Sequence, residues 1–131
     1  MKEIIGDYAV VSRINVKSIK DSLEWYKSKL GFEHDPRFDS PNWSQLTIGI
    51  DNVAIGLNQQ KFTGSGKTVL TFVTDDIQAA RESLIKRGVK VSEIENAGQG
   101  VSLVFFEDID GNLLGLRQNP LKQPSVGEFT K

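Results

Sequence analysis

The sequence predicts an α+β fold of two tandem βαβββ modules, and three observations predict it. First, the chain repeats itself: Asp-Asn-Val-Ala-Ile-Gly-Leu at 51–57 returns as Asp-Gly-Asn-Leu-Leu-Gly-Leu at 110–116, and Leu-Gly-Phe at 30–32 returns as Arg-Gly-Val at 87–89, an offset of about 58 residues. Second, each copy holds one stretch of helical periodicity followed by stretches of strict alternation. Third, the copies are joined by a polar stretch, Gln-Gln-Lys-Phe-Thr-Gly-Ser-Gly-Lys at 59–67. A unit of this size cannot bury its apolar face alone, so two copies are expected to pack together. A site between them would draw side chains from matching positions of both.

The elements follow in order. Tyr8–Val16 alternates as a strand, with Val10, Ile14 and Val16 on one face and Val11, Arg13 and Asn15 on the other. Ser18 opens a helix, and Asp21 sits in its first turn where a carboxylate complements the free N–H groups. Ile19, Leu23, Tyr26 and Leu30 are predicted to form its buried stripe, and Gly31 to end it. Phe32–Phe38 and Trp43–Ile50 are predicted strands, separated by Pro41 and Asn42. Asp51-Asn52 is read as a tight hairpin turn into Val53–Asn58. The first module thus covers 8–58, a linker covers 59–67 and the second module covers 68–118.

In that second module Thr68–Thr74 is the first strand, and Asp75 or Asp76 caps a helix whose stripe is Ile77, Ala80, Leu84 and Gly88. Strands follow at Val89–Ile94, Val101–Glu107 and Asn112–Gln118, with Asp110-Gly111 as the last hairpin turn. The tail, 119–131, has no periodicity and is expected to lie on the surface.

Composition narrows the function. A chain of 131 residues with 38% apolar and 25% charged residues is globular and large enough for a real core. A net charge of −1 gives neither nucleic acid nor an anionic membrane an electrostatic footing. The chain has no cysteine, so disulfide and thiolate chemistry are out of reach. No apolar run approaches the roughly 20 residues a membrane span needs, and Met1–Asp7 is short and charged rather than a secretory leader. A cytoplasmic protein is the expectation.

Three motifs carry a family resemblance. Ser22-Leu-Glu-Trp-Tyr-Lys-Ser-Lys-Leu-Gly-Phe32 is similar to the S-L-x-F-Y-x-x-x-L-G-F helix of the vicinal oxygen chelate superfamily, which includes glyoxalase I, extradiol dioxygenases, fosfomycin-resistance enzymes and bleomycin-binding proteins. Val73–Gly88 resembles the V-x-D-I-x-A-A-x-x-x-L-x-x-x-G helix of the second half, and Glu107–Leu116 resembles the x-D-P-D-G-N-x-x-x-L closing hairpin. Over 8–118 the resemblance implies two βαβββ modules whose curved sheets face each other around a central cleft. The order of elements read from periodicity is the same.

Enzymes of that superfamily hold one divalent metal in the cleft through His, Gln or Glu on the first and last strand of each module. Carried over position by position, those ligands fall on Val11 and Val69, and on Gly56 and Gly115. Valine and glycine side chains have no donor atom. A slip of one residue brings in only the hydroxyls of Ser12 and Thr68, which are poor ligands. The resemblance therefore implies the fold without the metal centre. No cofactor and no metal are expected, and a small-molecule ligand is the expected partner, held as the drug-sequestering relatives hold theirs. The glycines would let that ligand approach the backbone.

Alternation places Arg13, Asn15, Gln45, Thr47, Asn58, Thr71, Leu113 and Arg117 on the cleft-facing sides with Val11, Gly56, Val69 and Gly115. An apolar floor with a few convergent polar groups is the usual make-up of a small-molecule pocket. Arg13 and Arg117 favour an anionic or carbonyl-rich ligand, unless both pair with acids at the rim. Trp43 shares the face of Gln45 and, with Phe62, could stack on a planar ligand. Trp25, at the edge of the helix stripe, is read as packing. The assembly is expected to be a homodimer, with the modules paired within a chain or exchanged between chains.

Other features have blander readings. Gly64-Ser-Gly-Lys-Thr68 ends like a phosphate loop, but Lys61 stands where the first glycine belongs and a β-rich segment follows. Asp108-Ile-Asp-Gly111 lacks the later ligands of a calcium loop and is read as a turn. His34 with Asp35 and Asp39 is a candidate acid–base cluster. Two further functions stay open at this point. One is a lyase, isomerase or dioxygenase with an atypical site built on Glu107, His34 or an arginine. The other is a ligand-free interaction module.

Overall fold

The computed structural model describes residues 10–61, 63 and 69–120. Tyr8, Phe62, Gly64–Thr68 and most of the tail, 121–131, lie outside the described residues. Contacts divide the chain into two units, one of 1–70 with 107–113 and one of 71–106 with 114–131.

The first unit begins with β1 (Val10–Val16), α1 (Ile19–Leu30), β2 (Glu33–Ser40), β3 (Trp43–Thr47) and β4 (Val53–Gln59). Its sheet has the order β1-β4-β3-β2, with β1 parallel to β4 and the other pairs antiparallel. The crossover through α1 makes the parallel pair possible, because parallel strands cannot be joined by a tight turn. The N–H of Asp21 donates to Ser18 Oγ at 3.2 Å, which caps α1. Gly31 ends it at φ 75°, left-handed backbone that suits a residue without Cβ.

The register gives this sheet a closed and an open face. Ile14, Val16, Leu46, Ile55 and Leu57 share the closed face, each at 8% exposure or less. α1 packs on β2, β3 and β4. Its buried side chains are Ser22 and Tyr26, whereas Ile19, Leu23 and Leu30 are half-buried, so the stripe is centred differently from the periodic one predicted. Trp25 meets Tyr26 edge-on at 5.0 Å between ring centroids, and Tyr26 stacks on Phe32 at 6.1 Å, so Trp25 is a packing residue.

The reason for the shifted stripe is a polar knot made by Glu107–Leu113, which belongs to this unit. The fully buried Tyr26 donates its hydroxyl to Asp108 Oδ2 at 2.7 Å. That oxygen also accepts from Asn112 Nδ2 at 2.8 Å, and Oδ1 accepts the N–H groups of Asp110 and Asn112, both at 2.9 Å. Burial, followed by the neighbouring Asp108 carboxylate, pushes the Tyr26 hydroxyl far above its ordinary pKa, so it stays a donor. Asp110 accepts from the Lys17 N–H at 3.0 Å and from Ser22 Oγ at 3.4 Å, while Asn112 Nδ2 also donates to the Asn15 carbonyl at 3.0 Å.

The second unit carries most of β5 (Leu70–Val73), α2 (Ile77–Lys86), β6 (Glu95–Asn96), β7 (Ser102–Glu107) and β8 (Leu113–Gln118), in the sheet order β5-β8-β7-β6. This repeats the strand order of the first sheet and matches the α+β architecture of two modules. Of the two candidate caps Asp76 is the one used, accepting from the Ala79 N–H at 3.1 Å. Ile77, Leu84, Val89, Val104, Phe106 and Leu114 are buried.

Several predicted strand boundaries moved, two of them with a visible cause. β3 stops at Thr47, and the link to β4 is longer than a two-residue hairpin. Gly49 and Asn52 take φ of 83° and 62°, and the Val53 N–H donates to the Ile50 carbonyl at 3.3 Å around Asp51-Asn52. The predicted strand at Val89–Ile94 is reduced to a single bridge of Val91 to Phe106, with regular pairing only at Glu95 and Asn96. The break falls at Ser92: its carbonyl accepts from Arg81 Nε at 2.8 Å, and its Oγ accepts the Phe105 N–H at 2.9 Å in the carbonyl's place.

Candidate ligand-binding site

The open face of the first sheet is built from three cross-strand rows. Val11, Ala54, Thr47 and Glu33 form one. Arg13, Gly56, Gln45 and Asp35 form the next, and Asn15, Asn58 and Trp43 the third. The register thus brings seven predicted site residues besides Gly56 onto one surface: Val11, Arg13, Asn15, Trp43, Gln45, Thr47 and Asn58. Val11 and Arg13 are exposed, and the other five are half-buried. On the second sheet Leu113, Gly115 and Arg117 alternate with the fully buried Leu114; Gly115 is buried, Val69 and Leu113 are half-buried, and Thr71 and Arg117 are exposed. Arg117 Nε donates to Asn119 Oδ1 at 2.7 Å, a neutral partner rather than a rim acid.

Trp43, from the third row, covers the middle one. Its indole folds back over Gly56, where an added Cβ would overlap Cη2 and Cζ2 of the ring. Gly56 therefore makes room for the chain's own aromatic group. The indole is latched: Nε1–H donates to Gln45 Oε1 at 3.2 Å. In the next row Asn58 Nδ2 donates to Asn15 Oδ1 at 3.1 Å. Alternation revealed which residues share this face, but the fold-back of Trp43 depends on the register of β3 against β4.

At one end the face opens into a groove of about 520 Å³, running from Val10 and Val11 past Ala54, Thr47 and Gln45 to Asp35, Arg37 and Phe38. Val10, Val11, Phe38 and Ile50 are exposed apolar side chains on its walls. Asp35 is bound twice by Arg37, through Nε at 2.9 Å and Nη2 at 2.7 Å. These hydrogen bonds hold the Asp35 carboxyl at about 2 and raise the pKa of the Arg37 guanidinium. The same guanidinium sits 5.2 Å from the centre of the Phe38 ring.

The acid–base cluster is split by the pleat. Asp35 faces the groove with Arg37. His34 belongs to the other face, where its Nε2 lies 2.8 Å from Asp39 Oδ1, and Ser44 Oγ donates to that same oxygen at 2.9 Å. His34 and Ser44 thus both converge on one carboxylate, whose pKa the His34 bond, then the Ser44 bond, hold down. This is no relay from a nucleophile to a base. The groove beside His34, about 380 Å³, is lined by α1 residues of both charges.

The family model of the Glyoxalase/Bleomycin resistance protein/Dioxygenase superfamily matches residues 6–116. The chain belongs to that superfamily. Similar solved structures include TnmS3, described as an antibiotic binding protein from Streptomyces sp. CB03234, with a TM-score of 0.73 and 24% identity over 86% of this chain and 96% of the other. An integron cassette protein from the mobile metagenome of Halifax Harbour Sewage Outfall gives a TM-score of 0.74 at 22% identity, over 86% and 98%. A superfamily member from Sphaerobacter thermophilus DSM 20745 gives 0.72 at 22%, over 88% and 99%. At these identities the likeness establishes the fold. No curated protein matches the chain.

The superfamily's metal is a fair test of the site. Val11 and Gly56 offer no donor, and the side-chain volume beside Gly56 is taken by an indole. Among the described residues no group of three or more His, Cys, Asp and Glu could hold a metal ion. The residues present do not fit the group. Among the described residues, too, no helix is long and apolar enough to cross a membrane.

Proposed function

We propose that this chain is a metal-independent small-molecule-binding member of its superfamily, which holds a planar or amphipathic ligand on the open face of the first sheet. The observation that carries the reading is the Trp43 indole, folded over Gly56 and latched to Gln45 where relatives place metal ligands. An aromatic wall beside a few oriented polar groups suits a flat ligand, and aromatic pairs add about 0.5–1.5 kcal/mol beyond the area they bury. TnmS3, described as an antibiotic binding protein, supports the reading by analogy of fold.

Calorimetric titration tests it with three probes that share a naphthalene ring: naphthoate, naphthamide and naphthylmethylammonium. At least one is expected to bind with one-to-one stoichiometry, unchanged by prior chelation of divalent metals, and Trp43→Ala is expected to weaken it. Absence of binding by all three, or binding that appears only after a divalent metal is restored, would overturn the proposal.

A further inference from the structure

Resting on that binding reading, we infer that the site selects aromatic anions, and that Arg13 and the Gln45 amide nitrogen set this preference from either side of Gly56. The register places Arg13, Gly56 and Gln45 directly beside one another on β1, β4 and β3. Neighbouring strands are about 4.8 Å apart, so Arg13 and Gln45, with β4 between them, stand roughly 10 Å apart at the backbone, a span that two long side chains close over a ligand.

The hydrogen-bond inventory of this row is one-sided. The indole N–H can only donate, so the Gln45 oxygen must face it, and that acceptor is consumed. Gln45 Nε2 has no partner among the described residues, and it is not a buried unsatisfied atom, so it is open to an incoming ligand. Arg13 is exposed, and among the described residues it makes no hydrogen bond or ion pair. Its neighbours on this face, Val11, Asn15, Ala54 and Asn58, are uncharged. The acid of the row, Asp35, lies three strands away with both carboxylate oxygens engaged by Arg37. What remains free in this row is therefore a guanidinium and an amide NH2, all donors. A carboxylate or sulfonate on a ring packed against Trp43 satisfies both, and charge-assisted bonds of this kind are stronger than neutral ones. A cation meets the like charge of Arg13 there, and a neutral donor finds no free acceptor in this row, although Asn58 Oδ1 offers one in the adjoining row beside Trp43.

The same naphthyl probes separate the two claims. Wild-type protein is expected to bind naphthoate more tightly than naphthamide, and naphthamide more tightly than naphthylmethylammonium. Added salt should weaken naphthoate alone. Arg13→Gln should weaken naphthoate about threefold to fivefold and leave naphthamide unchanged, with Arg13→Lys recovering part of the loss. Gln45→Glu keeps an acceptor for the indole but replaces the free NH2 with a carboxylate oxygen, so the preference should shift toward the ammonium probe. If naphthamide or the ammonium probe binds as tightly as naphthoate, or if Arg13→Gln weakens all probes alike, the charge inference falls and the binding reading stands. If no probe binds, both fall.

Discussion

The two faces of the first sheet come from the same strands, yet they follow different rules. The closed face is hydrocarbon under α1, with Val16 and Leu57 at 0% exposure and Leu46 and Ile55 at 1%. The hydroxyl of Ser44, buried on it, donates to Asp39 Oδ1. The open face mixes a valine, amides, a hydroxyl, an arginine and the carboxylates of Glu33 and Asp35, and its indole is held by a single hydrogen bond rather than by enclosure. The difference shows where stability resides and where chemistry is free to vary, and substitutions should divide accordingly.

The largest effect is expected on the closed face. Leu57→Ala should cost about 2–5 kcal/mol, because the cavity it leaves is walled by Ile14 and Ser44 on the flanking strands. Thr47→Ala on the open face should stay within about 0.5 kcal/mol. Urea denaturation monitored by circular dichroism measures both, and equal costs would erase the distinction between the faces.

Next in size is Tyr26→Phe, which keeps the ring packing and removes only the donor to Asp108. A loss of about 1.5 kcal/mol is expected, at the low end for a bond to a charged partner, since three other donors remain on that carboxylate. Thermal unfolding is the readout, and no change would mean that the hydroxyl is dispensable to the knot.

Gly56→Ala tests the open face more gently. Its Cβ must displace the indole, so in a Trp25→Phe background the Trp43 emission should shift to the red at a stability cost of about 1 kcal/mol. An unchanged spectrum would show that the indole does not rest there in solution.

The smallest effect concerns Asp35, whose pKa falls from 3.8 to about 2 through its hydrogen bonds with Arg37. A depressed carboxyl stabilises the fold above its unfolded pKa, and that contribution disappears as pH falls through about 2. Because the pair is exposed, the contribution is slight. Arg37→Gln should return the carboxyl toward its usual range, visible in an NMR titration of the Asp35 side chain.

Much of this architecture was legible in the sequence because local chemistry determines it. Ser18 and Gly31 delimit α1, Asp76 caps α2, and alternation assigned Val11, Arg13 and Asn15 to one face of β1. What escaped was decided by distant partners. Ser22 is buried because Asp110, far along the chain, lies over it, a contact no helical period encodes. Asp108 was legible as a turn residue, but its role as the acceptor for Tyr26 depends on tertiary placement. The strand expected at Val89–Ile94 gave way where Arg81 takes the Ser92 carbonyl and the Ser92 hydroxyl takes the Phe105 N–H in its place. Of the open face, Val11, Arg13, Asn15, Trp43, Gln45, Thr47, Gly56 and Asn58 were readable as sharing one side, whereas Glu33, Ala54, Asp35 and the Trp43–Gln45 latch were not.

One detail of β2 has a longer reach. Between Asp35, which pairs with Gln45, and Ser40, which pairs with Trp43, the strand leaves its ladder and returns. The arch is fastened by its own side chains, Asp35 to Arg37 on one face and His34 to Asp39 on the other. Because Pro36–Phe38 contribute no rung to the ladder, this stretch can be recoded or lengthened while the scaffold beneath keeps its pairing and Ser44 keeps its bond to Asp39. It is a ready place to graft a library of new rims when redesigning what the groove accepts.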